Sequence, residues 1–377
     1  MIGIDKIVIK SCTDSEKYKN GLIGVDYNKL KMLAQNNTNI SLDVNTDYET
    51  VKNIYTDEYI KLKSLTIYND ALFNRFEIKS FKLYNNMYST YYKLDLSTTN
   101  LTNNNLHSRS IGECKNLYLK ALQQLENVYG IYLNKNYMLL NSIEINNTIQ
   151  ADESYSNYFY ILNLMYNLAP ANYEFKQIRD TLYLYNKSIS NKLYDKTYEL
   201  EAKIENFNTD EYKNMMRVEL SLERNKILEQ FKTVNLFDIS DKEIKEYYIN
   251  QVQKDLFKNA DKHIKESQKI VDKLCKDAIK RATNNSKTSL KWILDFAWGV
   301  ENATKKIKMK KGRFNKDYKF KEVHYLVDST QVLEKIKEYN RTNYSKNIKK
   351  YQEELNRLNK YSNNFSRYEE LKKKLLN

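Results

Sequence analysis

MLLNSIEINNT (Met138–Thr148) and MMRVELSL (Met215–Leu222) bracket the part of the chain whose periodicity is clearest. Both alternate apolar with polar residues, the first in its second half, as half-buried strands do. Between them, Ser154 to Leu168 carries apolar residues at helical spacing and is stopped by Pro170, the single proline of the chain. Thr181–Tyr185 and Asn191–Lys196 are two further short alternating runs, and a helical segment starts at Thr197. The order β, α, β, β, α, β predicts an α+β protein with a small antiparallel sheet core and helices on one face.

Working outward, residues 1–112 read as β-rich, with a hairpin over Phe73–Ser97 turning at Asn85-Asn86 and an exposed Asn-rich loop at Asn100–His107. From Glu113 the apolar period becomes that of a helix, which Gly130 ends. Residues 113–230 then form the α+β core, and residues 231–377 a mostly helical, basic domain. Within that domain Lys287–Val300 is an aromatic, apolar helix. The residues from Tyr344 to Leu376 repeat apolar side chains every three or four positions, which predicts one amphipathic helix, either a dimeric coiled coil or a helix packed back on its own domain.

Composition narrows the function. The 377 residues carry Lys+Arg 62 against Asp+Glu 48, a net charge of +14, which favours a polyanionic partner, nucleic acid first. No glycine lies between Gly130 and Gly299, so the central half has no Gly-rich phosphate loop and no nucleotide cofactor is expected. Cys12, Cys114 and Cys275 form no C-x-x-C pair, which gives neither a zinc finger nor a disulfide framework and points to the cytoplasm. The amino-terminal apolar run is too short for a signal or a membrane span, and no membrane partner is expected.

Strand alternation also groups side chains. Ile143 and Ile145 bury while Glu144 turns away; Val218 and Leu220 bury while Arg217, Glu219 and Ser221 turn away; Leu193 buries while Lys192, Tyr194 and Lys196 turn away. On one sheet, the open face therefore collects a tyrosine, two carboxylates and several cations. That set suits phosphoryl transfer to a tyrosine hydroxyl: carboxylates hold Mg²⁺ or Mn²⁺, and Arg or Lys steadies phosphate oxygens. Glu and Tyr are also ordinary on the wet face of an antiparallel sheet, and spacing alone favours that reading.

The YDKTYEL element (Tyr194–Leu200) and the RVELSLERNK element (Arg217–Lys226), within Asn141–Leu228, resemble replication initiator proteins of plasmids and phages from low-GC Gram-positive bacteria, the Rep proteins related to rolling-circle initiators. The resemblance implies an endonuclease that binds double-stranded origin DNA, nicks one strand through a metal-assisted tyrosine and leaves a 3′ hydroxyl, with a host helicase or polymerase as further partner. Carried over by position, Tyr194 is the nucleophile, with Tyr185 and Tyr198 behind it. Glu144 and Glu219 face the metal, and Arg217 and Lys196 contact phosphate. The paired metal-binding histidines of many such nucleases are absent, since His107, His263 and His324 stand apart. Either carboxylates replace them, or the chain is a non-catalytic, theta-type origin binder.

Lys305–Lys321 (KKIKMKKGRFNKDYKFK) sets nine basic residues against Asp317 alone and interleaves Phe314, Tyr318 and Phe320. A basic hairpin on the DNA backbone is expected there, through Lys305, Lys306, Lys308, Lys310, Lys311, Arg313, Lys316, Lys319 and Lys321, with the preceding helix packed beneath it. His263, in a polar helix, reads as a surface residue. His324 reads as a core or DNA-facing one.

Overall fold

A computed structural model describes residues 2–12, 22–44, 51–56, 58–82, 88–97, 108–135, 139–203, 212–283, 289–309, 319–339, 344–357 and 364–377. The chain begins with β1 (Ile2–Cys12), β2 (Leu22–Val25), α1 (Tyr27–Asn36), β3 (Ile40–Val44), the short β4 (Val51–Lys52) and β5 (Tyr59–Ile60), then β6 (Leu62–Tyr68). The hairpin expected around Asn85-Asn86 forms from β7 (Arg75–Lys82) and β8 (Tyr88–Ser97), in register from Arg75 opposite Asp95 to Lys82 opposite Tyr88. Its turn and the Asn-rich loop lie outside the described residues.

Helix α2 (Ile111–Tyr129) begins on a capping box, in which the Ser110 hydroxyl accepts from the Glu113 amide and the Glu113 carboxylate accepts from the Ser110 amide. It ends at Gly130, whose φ of 66° is the left-handed conformation that a side chain disfavours. Then come β9 (Ile131–Leu133), β10 (Leu140–Gln150), α3 (Tyr155–Asn167), β11 (Glu174–Ile178), β12 (Thr181–Tyr185), β13 (Ile189–Asp195), α4 (Lys196–Lys203), β14 (Met215–Glu223) and α5 (Arg224–Phe231). The expected βαββαβ order is present, with β11 added as a hairpin partner of β12.

The α+β class is therefore what the chain adopts, and its sheet is larger than the core segment alone suggests. Ten strands hydrogen-bond in the order β11-β12-β13-β14-β10-β1-β8-β7-β6-β3. Strand β1 pairs antiparallel with both β10 and β8, so the amino terminus sits in the middle of the sheet.

The remaining elements are α6 (Asp241–Val252), a π-helical turn at Gln253–Phe257, α7 (Lys258–Thr283), α8 (Ser289–Asn302), β15 (Thr304–Met309), β16 (Lys319–His324), α9 (Ser329–Tyr339), α10 (Tyr344–Arg357) and α11 (Asn364–Leu376). The single carboxy-terminal helix expected from sequence is two, α10 and α11. Tyr351 and Leu355 of α10 join a core with Val271 and Cys275 of α7, Phe296 and Val300 of α8 and Val332 and Ile336 of α9. Tyr368, Leu371 and Leu375 of α11 are also buried. The apolar stripe is consumed within the chain because both of its halves find intramolecular partners.

Contacts divide the chain into two units that do not follow consecutive blocks. Unit 1 comprises Met1–Thr148, Lys187–Asn191 and Val218–Tyr248; unit 2 comprises Ile149–Asn186, Lys192–Arg217 and Ile249–Asn377. In unit 2, α11 is tied down by polar contacts. The Tyr368 hydroxyl donates to Asp261 at 2.7 Å, Lys372 donates to the same carboxylate at 2.6 Å, and Arg367 donates to Glu153 at 2.7 Å.

His263 is buried in unit 2, not on the surface, because the turn of α7 that carries it lies under the segment following β16. Its Nε2–H donates to the His324 carbonyl at 3.1 Å and its ring stacks on Tyr325 at 5.3 Å. Burial, together with Lys305, lowers its pKa, while the His324 carbonyl and Glu266 act in the opposite direction. The unfolded chain therefore binds the proton more readily. Stability of unit 2 is full above the ordinary histidine pKa of about 6.5 and is lost as pH falls below it. His263→Gln, which keeps an N–H donor, is expected to flatten the decline in thermal midpoint between pH 7 and pH 5. An equal decline in both proteins would exclude His263 as its source.

Candidate metal centre

Three adjacent strands, β14, β10 and β1, each contribute one carboxylate to the same spot of unit 1. Ligand oxygens of Glu219, Glu144 and Asp5 all lie within 4.8 Å of one another. Asp5 and Glu219 are buried and Glu144 is half-buried. The two glutamates are those that strand alternation selects; Asp5 is an addition from the structure.

A β-bulge is what brings Asp5 in. Ile4 is opposite Ile145 and Lys6 is opposite Glu144, so Asp5 is the extra residue between them. Bulges re-aim side chains, and this one falls where β1 changes neighbours. Ile4 exchanges two backbone hydrogen bonds with Arg109, at 2.8 and 3.1 Å, whereas pairing with β8 begins at Lys6 opposite Ser97. Sequence carries a trace of this. Apolar positions in IGIDKIVIK fall at 2, 4, 7, 8 and 9, and the jump from 4 to 7 breaks the period of two.

Gly3 keeps β1 in place. A Cβ there would lie 2.3 Å from the Ser108 Cβ and 3.1 Å from the Arg109 carbonyl oxygen. Glu144 is held by the Ser221 hydroxyl, which donates to it at 3.2 Å from β14.

Carboxylates this close repel, by about 3–4 kcal/mol per pair at an effective dielectric near 20. A divalent cation would relieve that repulsion. The donor set, oxygen only and without His or Cys, fits a hard cation such as Mg²⁺ or Mn²⁺. Among the described residues this is the one group of carboxylates, histidines or cysteines with such geometry.

The sheet face carrying these groups is not open, as the alternation had suggested. Arg217 is 1% exposed and Glu219 7%, and β14 is buried on both faces from Met216 to Leu220. Alternation tells which side chains share a face, not what covers it. Tyr248 of α6, itself fully buried, lies within the electrostatic reach of Glu219.

The proposed tyrosines differ in setting. Tyr194, at the end of β13, is 6% exposed, with Lys192 Nζ 4.1 Å and Lys196 Nζ 5.8 Å from its ring centre. Lys196 is buried and donates to Glu199 at 2.6 Å. Burial raises the Glu199 pKa, but hydrogen bonds from Lys196 and Lys203 outweigh it and hold the carboxyl at about 2. Lys196 is thus committed to a carboxylate rather than presented to solvent. Tyr198 is 66% exposed on α4, whose first turn is capped by Asp195 accepting from the Tyr198 amide at 3.1 Å. Tyr185 is partly exposed, and desolvation followed by a hydrogen bond to Glu174 raises its pKa.

The basic segment does form an antiparallel pair, β15 with β16, from Thr304 opposite His324 to Met309 opposite Lys319. Lys305 pairs with Glu266, and Lys306 stands 3.8 Å from Glu322. Lys308, Lys319 and Lys321 lie on the two strands. Lys310, Lys311, Arg313 and Lys316 lie outside the described residues, as does His107. His263 and His324 meet through a ring and a backbone carbonyl, not as two imidazoles facing one ion. Cys114 and Cys275 are buried, and burial pushes both thiols up to about 12, which suits packing rather than reactivity.

No protein-family model matches this sequence, and no curated protein matches it. No helix among the described residues is long and apolar enough to cross a membrane.

Proposed function

We propose that the protein is a replication initiator of the plasmid or phage type, acting in the cytoplasm, that binds double-stranded origin DNA and nicks one strand at a carboxylate-held divalent cation. The observation that carries this reading is the convergence of Asp5, Glu144 and Glu219. Two of these residues, Glu144 and Glu219, lie within Asn141–Leu228, the stretch that resembles Rep proteins, and Glu219 belongs to its RVELSLERNK element. A bound Mg²⁺ or Mn²⁺ would withdraw charge from the scissile phosphate.

The chain's own residues supply the rest. In this reading Tyr194 is the nucleophile: its Oη bonds to phosphorus, the bond from phosphorus to the 3′ oxygen breaks, and that oxygen takes a proton to become the priming 3′ hydroxyl. The ammonium groups of Lys192 and Lys196 stand over the face of the Tyr194 ring. Arg217 and Lys196 are the proposed phosphate contacts, and the β15–β16 pair the proposed backbone grip.

Burial of Tyr194 and the commitment of Lys196 to Glu199 favour a second reading, an initiator that binds its origin without cutting it and recruits a host helicase or polymerase. Supercoiled DNA carrying the protein's own origin separates the two. Mn²⁺-dependent nicked circles with protein-linked DNA, both lost in Tyr194→Phe, are expected for the nuclease; tight origin binding without nicks would leave the binding-only reading.

The basic pair makes a prediction of its own. Lys306 is exposed, and Lys306→Ala is expected to weaken duplex binding uniformly across sequences and to reduce the slope of log affinity against log salt by about 0.9. An unchanged slope in a binding titration would remove Lys306 from the interface.

A further inference from the structure

In unit 1 the four strands β1, β8, β7 and β6 have two unlike faces. Ile7, Leu94, Ile78 and Leu65 point one way and are fully buried. Residues directly opposite one another in an antiparallel ladder share a face, as do residues two apart on a strand. By that rule Lys6 and Lys10 of β1, Lys93 of β8 and Arg75 and Lys79 of β7 stand together on the other face, exposed or half-buried, with the carboxylates of Glu77 and Asp95. Lys6 pairs with Asp95 at 2.8 Å and Arg75 with Glu77 at 3.2 Å. That leaves Lys10, Lys79 and Lys93 without a carboxylate partner among the described residues. Lys10 lies directly opposite Lys93, an unfavourable placement for like charges that an anion between them would relieve.

Aromatic rings are interleaved with these cations. Tyr91 is directly opposite Lys79, and its ring centre lies 4.4 Å from Lys10 Nζ and 6.0 Å from that of Phe81. Tyr68, 41% exposed, carries the Arg75 guanidinium 5.3 Å from its ring centre.

We propose that this face of β1, β6, β7 and β8 is a binding platform for single-stranded DNA, with unpaired bases stacked on Tyr91 and Tyr68 and phosphates held by Lys10, Lys79 and Lys93. Cations without partners call for a polyanion, and rings among them call for one whose flat surfaces are uncovered. A single strand offers both, whereas a duplex hides its base faces and an acidic peptide has none. A base entering over Tyr91 takes the place of the Lys10 ammonium, which is then free for the adjoining phosphate. The choice of DNA rests on the proposed initiator function, in which strand cutting yields unpaired DNA; the chemistry of the face does not.

The test is fluorescence anisotropy of a labelled mixed-sequence oligonucleotide, as a single DNA strand, annealed to its complement, or as RNA, titrated with the full-length protein. Wild type is compared with Tyr91→Leu and with the double variant Lys10→Ala, Lys93→Ala. Wild type is expected to bind the single DNA strand. The double variant should reduce the slope of log affinity against log salt by about 1.4, from two phosphates at about 0.7 each. Tyr91→Leu should weaken single-strand binding by about 5- to 150-fold, the worth of one stacked base. Duplex affinity is expected to stay within twofold of wild type in both. Tyr68→Leu, at a more exposed position, repeats the stacking test if Tyr91→Leu lowers the thermal midpoint.

Unchanged single-strand affinity and slope in these variants would overturn the platform. An equal loss on duplex would overturn it too, by making the face a backbone contact only. Tighter binding of the RNA, or competition by polyglutamate as effective as by unlabelled strand, would overturn the assignment to single-stranded DNA. Nicking of origin DNA is scored in parallel. Variants that nick normally and hold single strands as wild type does remove the platform and leave the initiator; the expected single-strand results in a protein that never nicks uphold the platform and remove the nuclease.

Discussion

Glu219→Gln is expected to abolish metal-dependent nicking of origin DNA and to weaken Mn²⁺ binding by roughly 100-fold or more, beyond the range that outer partners reach. The substitution is nearly isosteric and keeps an oxygen where Glu219 has one, but it removes a full charge from a centre of three. Nicked-circle assays and Mn²⁺ titration check the two halves, and nicking retained at the wild-type level would remove Glu219 from the chemistry.

Gly3→Ala should be the most damaging small substitution near the site. The added Cβ would meet the Ser108 Cβ at 2.3 Å and backbone atoms of Ser108 and Arg109 at 3.0 and 3.1 Å. The second and third of these cannot rotate away. Relief requires β1 to shift at the residue preceding Ile4, whose two hydrogen bonds with Arg109 fix the start of the bulge. Overpacking of this kind costs about 1–3 kcal/mol. The shift would also move Asp5 away from Glu144, so Mn²⁺ affinity should fall together with the melting temperature. Ser108→Gly in the same chain removes the closest contact and should restore part of both. A Gly3→Ala protein with unchanged midpoint and unchanged Mn²⁺ affinity would mean that the bulge does not depend on this close approach.

How much of this was legible in the sequence depends on the range of the interaction. The β7–β8 hairpin, α2 with its Ser110 cap and Gly130 stop, and the succession from β10 to β14 are set by neighbours in the chain, and period and caps reveal them. That Glu144 and Glu219 share a face also follows from alternation. The placement of β1 between β10 and β8 does not, because it depends on pairing with strands far along the chain, and a short apolar strand carries no label for its neighbours. Asp5 was hidden for the same reason, although the broken alternation of IGIDKIVIK marks a bulge once the segment is known to be a strand. Burial of Arg217, Tyr194 and His263 was illegible because each is covered by elements that no local pattern assigns to it. The continuous apolar period from Tyr344 to Leu376 likewise said nothing of the division into α10 and α11.

The most direct measurement is anomalous diffraction from crystals of the full chain equilibrated with Mn²⁺. A single strong peak within bonding distance of carboxylate oxygens of Asp5, Glu144 and Glu219, absent from crystals of Asp5→Asn, is the predicted result. Mn²⁺ bound elsewhere, or no peak at these three residues at millimolar concentration, would contradict the carboxylate centre and with it the metal-dependent reading of the protein.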